Sequence, residues 1–434
     1  MNMNRTFPRR GFLLRASAAF AGPMILPASV LGQNGQVSPS DRITMALIGC
    51  GGMGRSNLRA FLNMTDVRMV AICDVDQTHL REVKEMIDRR YGNQDCRTYS
   101  DFRELLAREK LDAVTHAVPD HWHAVISVAC AKAGLDIYGE KPLARTIREG
   151  RAICDAVARY GTIWQTGSWQ RSVAHFHRGC ELVRNGRIGK IQSVEVGLPD
   201  GSGPRRASVR PVPAGLDWDM WLGPAPWRPF MDIGLDAPHW DWRWIMDYSG
   251  GQLTDWAGHH IDIGLWGLGK EDTGPQTIEG RGKYFETGVW DAPYAYNFDC
   301  VFADGVRMKV ANASALPKKM GTVWYGDKGW IHVDRGDVLR ASDPRILQER
   351  IGEGEIQLYK STDHQRNFID CVKTRRETIT PARFAQRSIS IGLLGEIAML
   401  TGRKLQWDPE KEEFRNDPEA NRYLSRPHRS GWRV

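Results

Sequence analysis

Apolar positions between Arg42 and Tyr160 fall into short runs separated by amphipathic stretches. Ile43–Ile48, Val67–Cys73, residues 113–118 and Asp136–Gly139 are such runs, each about the length of a buried strand. Helical patterns fill the intervals, notably over 55–62 and 147–160. Strands alternating with helices in this order predict a parallel, doubly wound sheet. Past Gly161 the texture changes. Period-two strands such as 191–196 appear, and Ala303-Asp304-Gly305 and Gly326-Asp327-Lys328-Gly329 read as hairpin turns. The expected fold is α/β: a doubly wound N-terminal domain over 42–160, then an α+β domain over 161–405 on a mainly antiparallel open sheet. Residues 406–434 are charged and carry prolines, and are expected to form a loosely ordered tail.

The first run leads straight into Gly49-Cys50-Gly51-Gly52-Met53-Gly54, a G-x-G-x-x-G pattern between a strand and a helix. There Gly49 permits a tight turn, Gly51 lets the backbone approach a pyrophosphate, and Gly54 lets the helix pack on the strand. The amides at the helix start, with Gly52 and Met53, face the phosphates. With 44 glycines in the chain the pattern alone is weak. Its context strengthens it: the second run ends in Asp74, twenty residues beyond Gly54, where an acid binds ribose hydroxyls. This is the signature of a Rossmann dinucleotide domain. A carboxylate at 74 repels a 2′-phosphate, and Val75 rather than an arginine follows it, so NAD is favoured over NADP. Asp76 is expected to be a solvated acid at the next turn.

Residues before Asp41 carry Arg5, Arg9, Arg10 and Arg15 and no acid. Arg9-Arg10-Gly11-Phe12-Leu13-Leu14 followed by a small-residue stretch is a twin-arginine export pattern, assigned to residues 1–35. Arg15, Pro23 and Pro27 interrupt it, so it makes a poor membrane span. The expected location is periplasmic or otherwise exported, with the twin-arginine machinery as a partner. That route carries folded proteins into a compartment poor in free NAD, so the cofactor should be loaded first and held tightly. The cysteines agree. Cys50, Cys73, Cys130, Cys154 and Cys180 sit in apolar or helical patterns without framework spacing, as small core residues do. No zinc-type cysteine cluster exists, and no metal site is expected.

The net charge is +7, and four of those charges are the N-terminal arginines, leaving +3. That is too little, and too dispersed, for a nucleic-acid binder.

Further motifs follow in order. Val118-Pro119-Asp120-His121-Trp122-His123 succeeds the third strand, Glu140-Lys141-Pro142 the fourth, and Gly250-Gly251-Gln252-Leu253-Thr254-Asp255-Trp256-Ala257-Gly258-His259-His260-Ile261-Asp262 lies in the second domain. With the glycine loop, these resemble the Gfo/Idh/MocA family of glucose-fructose oxidoreductase and inositol dehydrogenase, over roughly residues 42 to 400. The chain departs from that pattern in Asp120, where asparagine is usual, and in Ala257, where glycine is usual.

The resemblance implies an oxidoreductase in which Lys141 hydrogen-bonds the reacting oxygen and His259 takes the hydroxyl proton. Asp255 would orient His259 or bind a neighbouring hydroxyl, and Pro142 would follow a cis peptide bond. It implies that Pro119, His123 and Glu140 line the cofactor on its nicotinamide side. Asp255 and His259 at i, i+4 share one helix face, where a carboxylate supports an imidazolium. A plain surface pair is the bland alternative. A metal would need a third ligand, and His260 points about 100° away. His121 reads as loop packing, and His175 and His177 as structural.

Eight of the sixteen tryptophans lie between Trp218 and Trp266. Their flat faces suit a carbohydrate cleft, although most should be core. Trp169, Gln170, Arg171, His239 and Arg243 are the candidate substrate contacts. The leading expectation is an NAD-dependent oxidoreductase acting on a secondary hydroxyl of a sugar, polyol or glycoside. A redox-neutral glycoside hydrolase or epimerase using tightly bound NAD is the alternative, and a non-catalytic sugar-binding protein the third. An open sheet face predicts a homodimer or homotetramer.

Overall fold

In the computed structural model, the described residues are Ser38, 41–233 and 237–434; the expected export signal lies outside them. Six strands make an all-parallel sheet: β1 (Ile43–Ile48), β2 (Val67–Cys73), β3 (Arg97–Tyr99), β4 (Ala113–His116), β5 (Asp136–Gly139) and β6 (Trp164–Thr166). Their order is β3-β2-β1-β4-β5-β6, the doubly wound arrangement that puts the ends of β1 and β4 at the switch point. Helices α1 (Gly52–Leu62), α2 (Gln77–Tyr91), α3 (Phe102–Arg108), α4 (His123–Lys132) and α5 (Ile147–Tyr160) connect them. The sheet runs past the expected boundary at residue 160, because β6 pairs parallel with β5 from Ile137↔Trp164 onward.

After α6 (Ala174–Arg184) comes a second sheet: β7 (Ile191–Leu198), β8 (Thr277–Lys283), β9 (Ala295–Val301), β10 (Arg307–Asn312), β11 (Gly321–Gly326), β12 (Gly329–Asp334), β13 (Val338–Ala341), β14 (Leu405–Asp408) and β15 (Glu413–Phe414). Its order is β13-β12-β11-β7-β10-β9-β8-β14-β15. Every pairing is antiparallel except β7 with β10. Alternation sets the faces. Tyr296, Phe298, Cys300, Met308 and Val310 join the core with the apolar side chains of the long helix Ala382–Thr401. The alternate positions Asn297, Asp299, Arg307 and Lys309 stay polar, and Arg307 pairs with Asp299 across β9 and β10.

One expectation needs correction. The segment after Asp408 is not a loose tail: β15 and a short helix Pro418–Arg422 follow, and the chain then docks on the N-terminal domain. Arg426 and His428 both reach Glu149 Oε1, at 2.9 and 2.8 Å, and Trp432 packs on Phe102 and Trp122. Burying Glu149 requires such partners, and the Arg426 guanidinium is the cation among them. The tryptophan-rich segment is mostly core, as expected: Trp218, Trp221, Trp242 and Trp244 form an aromatic cluster with Phe230, Tyr248 and Trp290. All eight cysteines are free and buried.

Candidate active site

The glycine loop closes over the end of β1. Gly49 has φ +92°, and a Cβ there would come 2.6 Å from the Ala117 carbonyl oxygen. At Gly54 a Cβ would come 1.9 Å from the Gly49 oxygen, so helix α1 can sit this close only with glycine. Gly51 and Gly52 face outward, with nothing within 4 Å of a Cβ built on either. They open on a cleft of about 1080 Å³, counting its mouth, whose walls also carry Met53, Asp74, Pro119, Glu140, Lys141 and Asp255. A bare glycine backbone at a helix start, with an acid beside it, fits a dinucleotide's pyrophosphate and ribose.

Asp74 accepts hydrogen bonds from the backbone N–H groups of Cys50 (2.6 Å) and Asp76 (2.8 Å), tying β2 to the glycine loop. Asp76 is not the solvated acid expected. It caps α2 by accepting from Thr78 N–H at 2.7 Å, and its other oxygen lies 3.0 Å from His239 Nε2. The His79 and His239 rings lie tilted at 45° with centroids 4.1 Å apart, and the Asp74 carboxylate raises the His79 pKa. The ligand atoms of Asp76, His79 and His239 lie within 4.8 Å of one another, a grouping that no spacing in the sequence announces. His239 and Arg243 reach the cleft wall from the aromatic segment, as do Trp221 and Trp242. Backbone bonds hold that segment across the nucleotide domain, Gln77 N–H to Gly215 O and Asp217 N–H to Val75 O, both 3.0 Å.

At the far end of the cleft, the Lys141–Pro142 peptide is cis. Lys141 Nζ donates to Asp255 Oδ1 at 2.7 Å and to the Asp255 carbonyl at 3.2 Å. Burial raises the Asp255 pKa, but Lys141, Arg243 and Arg335 together bring it below the usual value, so it stays a carboxylate. Glu140 is buried and accepts from Asn57 Nδ2 at 2.8 Å; burial pushes its pKa up. Asp120 is likewise raised by burial and accepts from Ser249 Oγ.

His123 is corrected from cofactor contact to brace. Its Nδ1 lies 2.6 Å from Pro142 O and its Nε2 2.9 Å from Val118 O, so the ring spans two loops inside the protein. His121 is loop packing, with Nε2 3.1 Å from Trp221 O.

The helix carrying Asp255 and His259 also differs from expectation. The α-helix α7 (Gly251–Trp256) gives way to a π-turn over Ala257–Ile261 before the helix Asp262–Leu268 begins. A π-turn adds a residue to the repeat, and no bond forms between Asp255 and His259; Asp255 turns to Lys141 instead. His259 is buried between the Trp169 and Trp256 rings, 6.2 and 5.4 Å away, and its Nδ1 has no hydrogen-bond partner among the described residues. Burial first, then Lys141 and Arg335, hold its pKa well below the ordinary range. It is a neutral imidazole rather than a carboxylate-supported imidazolium.

Three of the five expected substrate contacts, Trp169, Gln170 and Arg171, lie off the cleft wall. Arg171 is 1 % exposed, with Nε and Nη2 on Asp262 at 2.7 and 2.8 Å and Nη1 on Glu271. A guanidinium this deeply desolvated needs both counter-charges. Gln170 is buried, bonded to His260 Nδ1 (3.2 Å) and to Arg335 Nε (3.1 Å). Trp169 stays at the surface, 36 % exposed, beside His259. Arg335 was not among the expected site residues. It follows β12, and no motif marks it.

A family model described as the oxidoreductase family, NAD-binding Rossmann fold, matches residues 43–168. Its companion, the oxidoreductase family C-terminal alpha/beta domain, matches residues 200–434. A myo-inositol 2-dehydrogenase of Thermotoga maritima is 29% identical over 178 residues, covering 41% of this chain and 51% of that protein. A glycosyl hydrolase family 109 protein of Shewanella baltica is 29% identical over 169 residues, 35% of this chain and 37% of the relative. The chain thus spans about half or less of the curated relatives it matches. Among solved structures, the WlbA dehydrogenase from Bordetella pertussis, in complex with NADH and UDP-GlcNAcA, superposes with a TM-score of 0.63. The match covers 85% of this chain and 99% of that one at 19% identity, a likeness of fold.

Proposed function

This chain belongs to the Gfo/Idh/MocA oxidoreductase family, and on that premise we propose that it oxidises or reduces a secondary hydroxyl of a sugar, polyol or glycoside with NAD. The observation that carries this reading is the Lys141–Asp255 contact at the end of a glycine-loop cleft, with a neutral His259 nearby. Bound in the cleft, the nicotinamide supplies the hydride acceptor or donor. Lys141 hydrogen-bonds the reacting oxygen and stabilises the charge that develops on it. His259 takes the hydroxyl proton on its neutral imidazole. Asp255 holds the Lys141 ammonium at that position. Asp74 favours NAD over NADP, since a 2′-phosphate would meet its carboxylate. Tight retention of the cofactor, export by the twin-arginine route and assembly as a homodimer or homotetramer complete the proposal.

A redox-neutral reading, in which NAD returns to its starting state within each turnover and a glycosidic bond is hydrolysed, is favoured by the similarity to glycosyl hydrolase family 109 proteins. One experiment separates the two. The folded protein is mixed with sugars and glycosides while nicotinamide absorbance and sugar products are followed together. NADH rising in step with a keto-sugar supports the dehydrogenase. Aglycone release with no net NADH supports the hydrolase, and neither signal with any sugar rejects both.

A further inference from the structure

Charge is unbalanced around Asp255. Lys141 contacts it directly, Arg243 Nε stands 3.9 Å from the same oxygen, and the Arg335 charge also lowers its pKa. Three cations thus face one carboxylate. The two arginines are held alike, each against a pair of indole rings. Arg243 lies 4.3 and 4.6 Å from the centroids of Trp240 and Trp242, and Arg335 4.7 and 4.2 Å from those of Trp169 and Trp256. Arg335 makes one side-chain hydrogen bond, to the neutral Gln170 amide. Its Nη2 is buried with no partner among the described residues. Asp334, the nearest acid in sequence, accepts from the Arg335 backbone N–H at 2.7 Å and faces His260 at 3.4 Å.

A half-buried guanidinium with no carboxylate in hydrogen-bond contact, as at Arg335, is costly unless something completes it. The pyrophosphate of a dinucleotide cannot do so for Arg335, which stands outside the wall built around the glycine loop. An oxidised nicotinamide would add positive charge to the same end of the cleft.

We propose that the substrate is an anionic sugar, a hexuronic acid or its glycoside, and that Arg335 takes its carboxylate, with Arg243 as the second arginine beside Asp255. The inference rests on the oxidoreductase reading for the placement of the reacting carbon near Lys141. Stacking holds the guanidinium plane, and its N–H edge matches a carboxylate in two-pronged geometry.

The test is calorimetric binding to the NAD-loaded protein, using matched pairs: glucose and glucuronate, galactose and galacturonate, methyl glucoside and methyl glucuronide, with glucose 6-phosphate as a second anion. At least one acid should bind about 10-fold or more tighter than its neutral partner, as a charge-assisted bond allows. That preference should shrink to within about 3-fold in Arg335→Gln and survive in part in Arg335→Lys. Should Arg335→Gln fail to fold, Arg243→Gln serves, with a smaller loss expected. The proposal is overturned if no acid outbinds its neutral partner, including the case in which nothing binds, or if the preference persists undiminished in the glutamine variants. Tighter binding of glucose 6-phosphate than of every uronate overturns the carboxylate assignment. An acid that binds with preference yet never changes the nicotinamide spectrum or yields product defeats the oxidoreductase reading and leaves the anion site standing.

Discussion

Lys141 Nζ and Asp255 Oδ1, 114 residues apart in the chain, meet at 2.7 Å, and this contact joins the parallel-sheet domain to the second domain at the end of the cofactor cleft. Both side chains are nearly buried, 11% and 16% exposed, so each is the other's main electrostatic support.

Replacing Lys141 with methionine should lower kcat by about 10²–10⁴-fold, the range for loss of a group that stabilises developing charge or transfers a proton. Dinucleotide should still bind, because the glycine loop and Asp74 are untouched. Steady-state kinetics with cofactor titration checks both. Full activity in the variant would remove Lys141 from the mechanism.

The pH dependence of turnover should carry the mark of a neutral His259. Its folded pKa is depressed, so the imidazole stays unprotonated through neutral pH and the acidic limb of kcat/KM should lie below the ordinary histidine value of about 6.5. Arg335→Met removes one of the cations that depress it, and the limb should move to higher pH. An unshifted limb would show that another group sets it.

Stability should fall in acid for a related reason. Burial holds the pKa of His121 and His260 at about 3 and that of His364 at about 4, and lowers His116 and His259 as well. Below about pH 6.5 the unfolded chain takes up protons that the folded protein refuses, so unfolding is favoured as pH falls toward the folded values. Each such histidine contributes up to about 1.4 kcal/mol per pH unit across that window. Urea denaturation at pH 7.5 and 5.5 should show the loss, and His121→Phe should reduce it. Equal stability at the two pH values would contradict the burial of neutral rings.

His239→Ala should speed exchange of bound NAD, because His239 lies 3.0 Å from Asp76 and lines the cleft beside Asp74. Chase with excess labelled NAD measures the rate, and a thermal midpoint close to the parent's separates this from general loosening. Identical exchange rates would leave the aromatic segment without a part in retention.

Arg171→Met should cost about 3–5 kcal/mol, since Asp262 and Glu271 would be left without their buried cation. Chemical denaturation reads this directly. A change under about 1 kcal/mol would mean that solvent reaches the pair.

The two sheets, their strand directions and the glycine loop were legible because strand and helix periods and the spacing from Gly54 to Asp74 are local properties of the chain. Elsewhere a neighbour in space overrides the local rule. Asp255 and His259 fit one helical face until a π-turn intervenes. Arg171 has the composition of a pocket residue, yet Asp262 and Glu271 draw it into the core. The final charged segment, which by composition belongs in water, is held by Glu149.

What the sequence determined by itself was therefore the fold class and the cofactor loop, because a strand, a tight turn and a helix start are dictated by residues within a few positions of each other. Only the tertiary structure decided which charges face one another. It paired Lys141 with Asp255, left His259 neutral between two tryptophans, and set Arg335 beside them from a turn with no motif of its own. The physical reason is that pairing and desolvation depend on distance and burial, which separation along the chain does not encode.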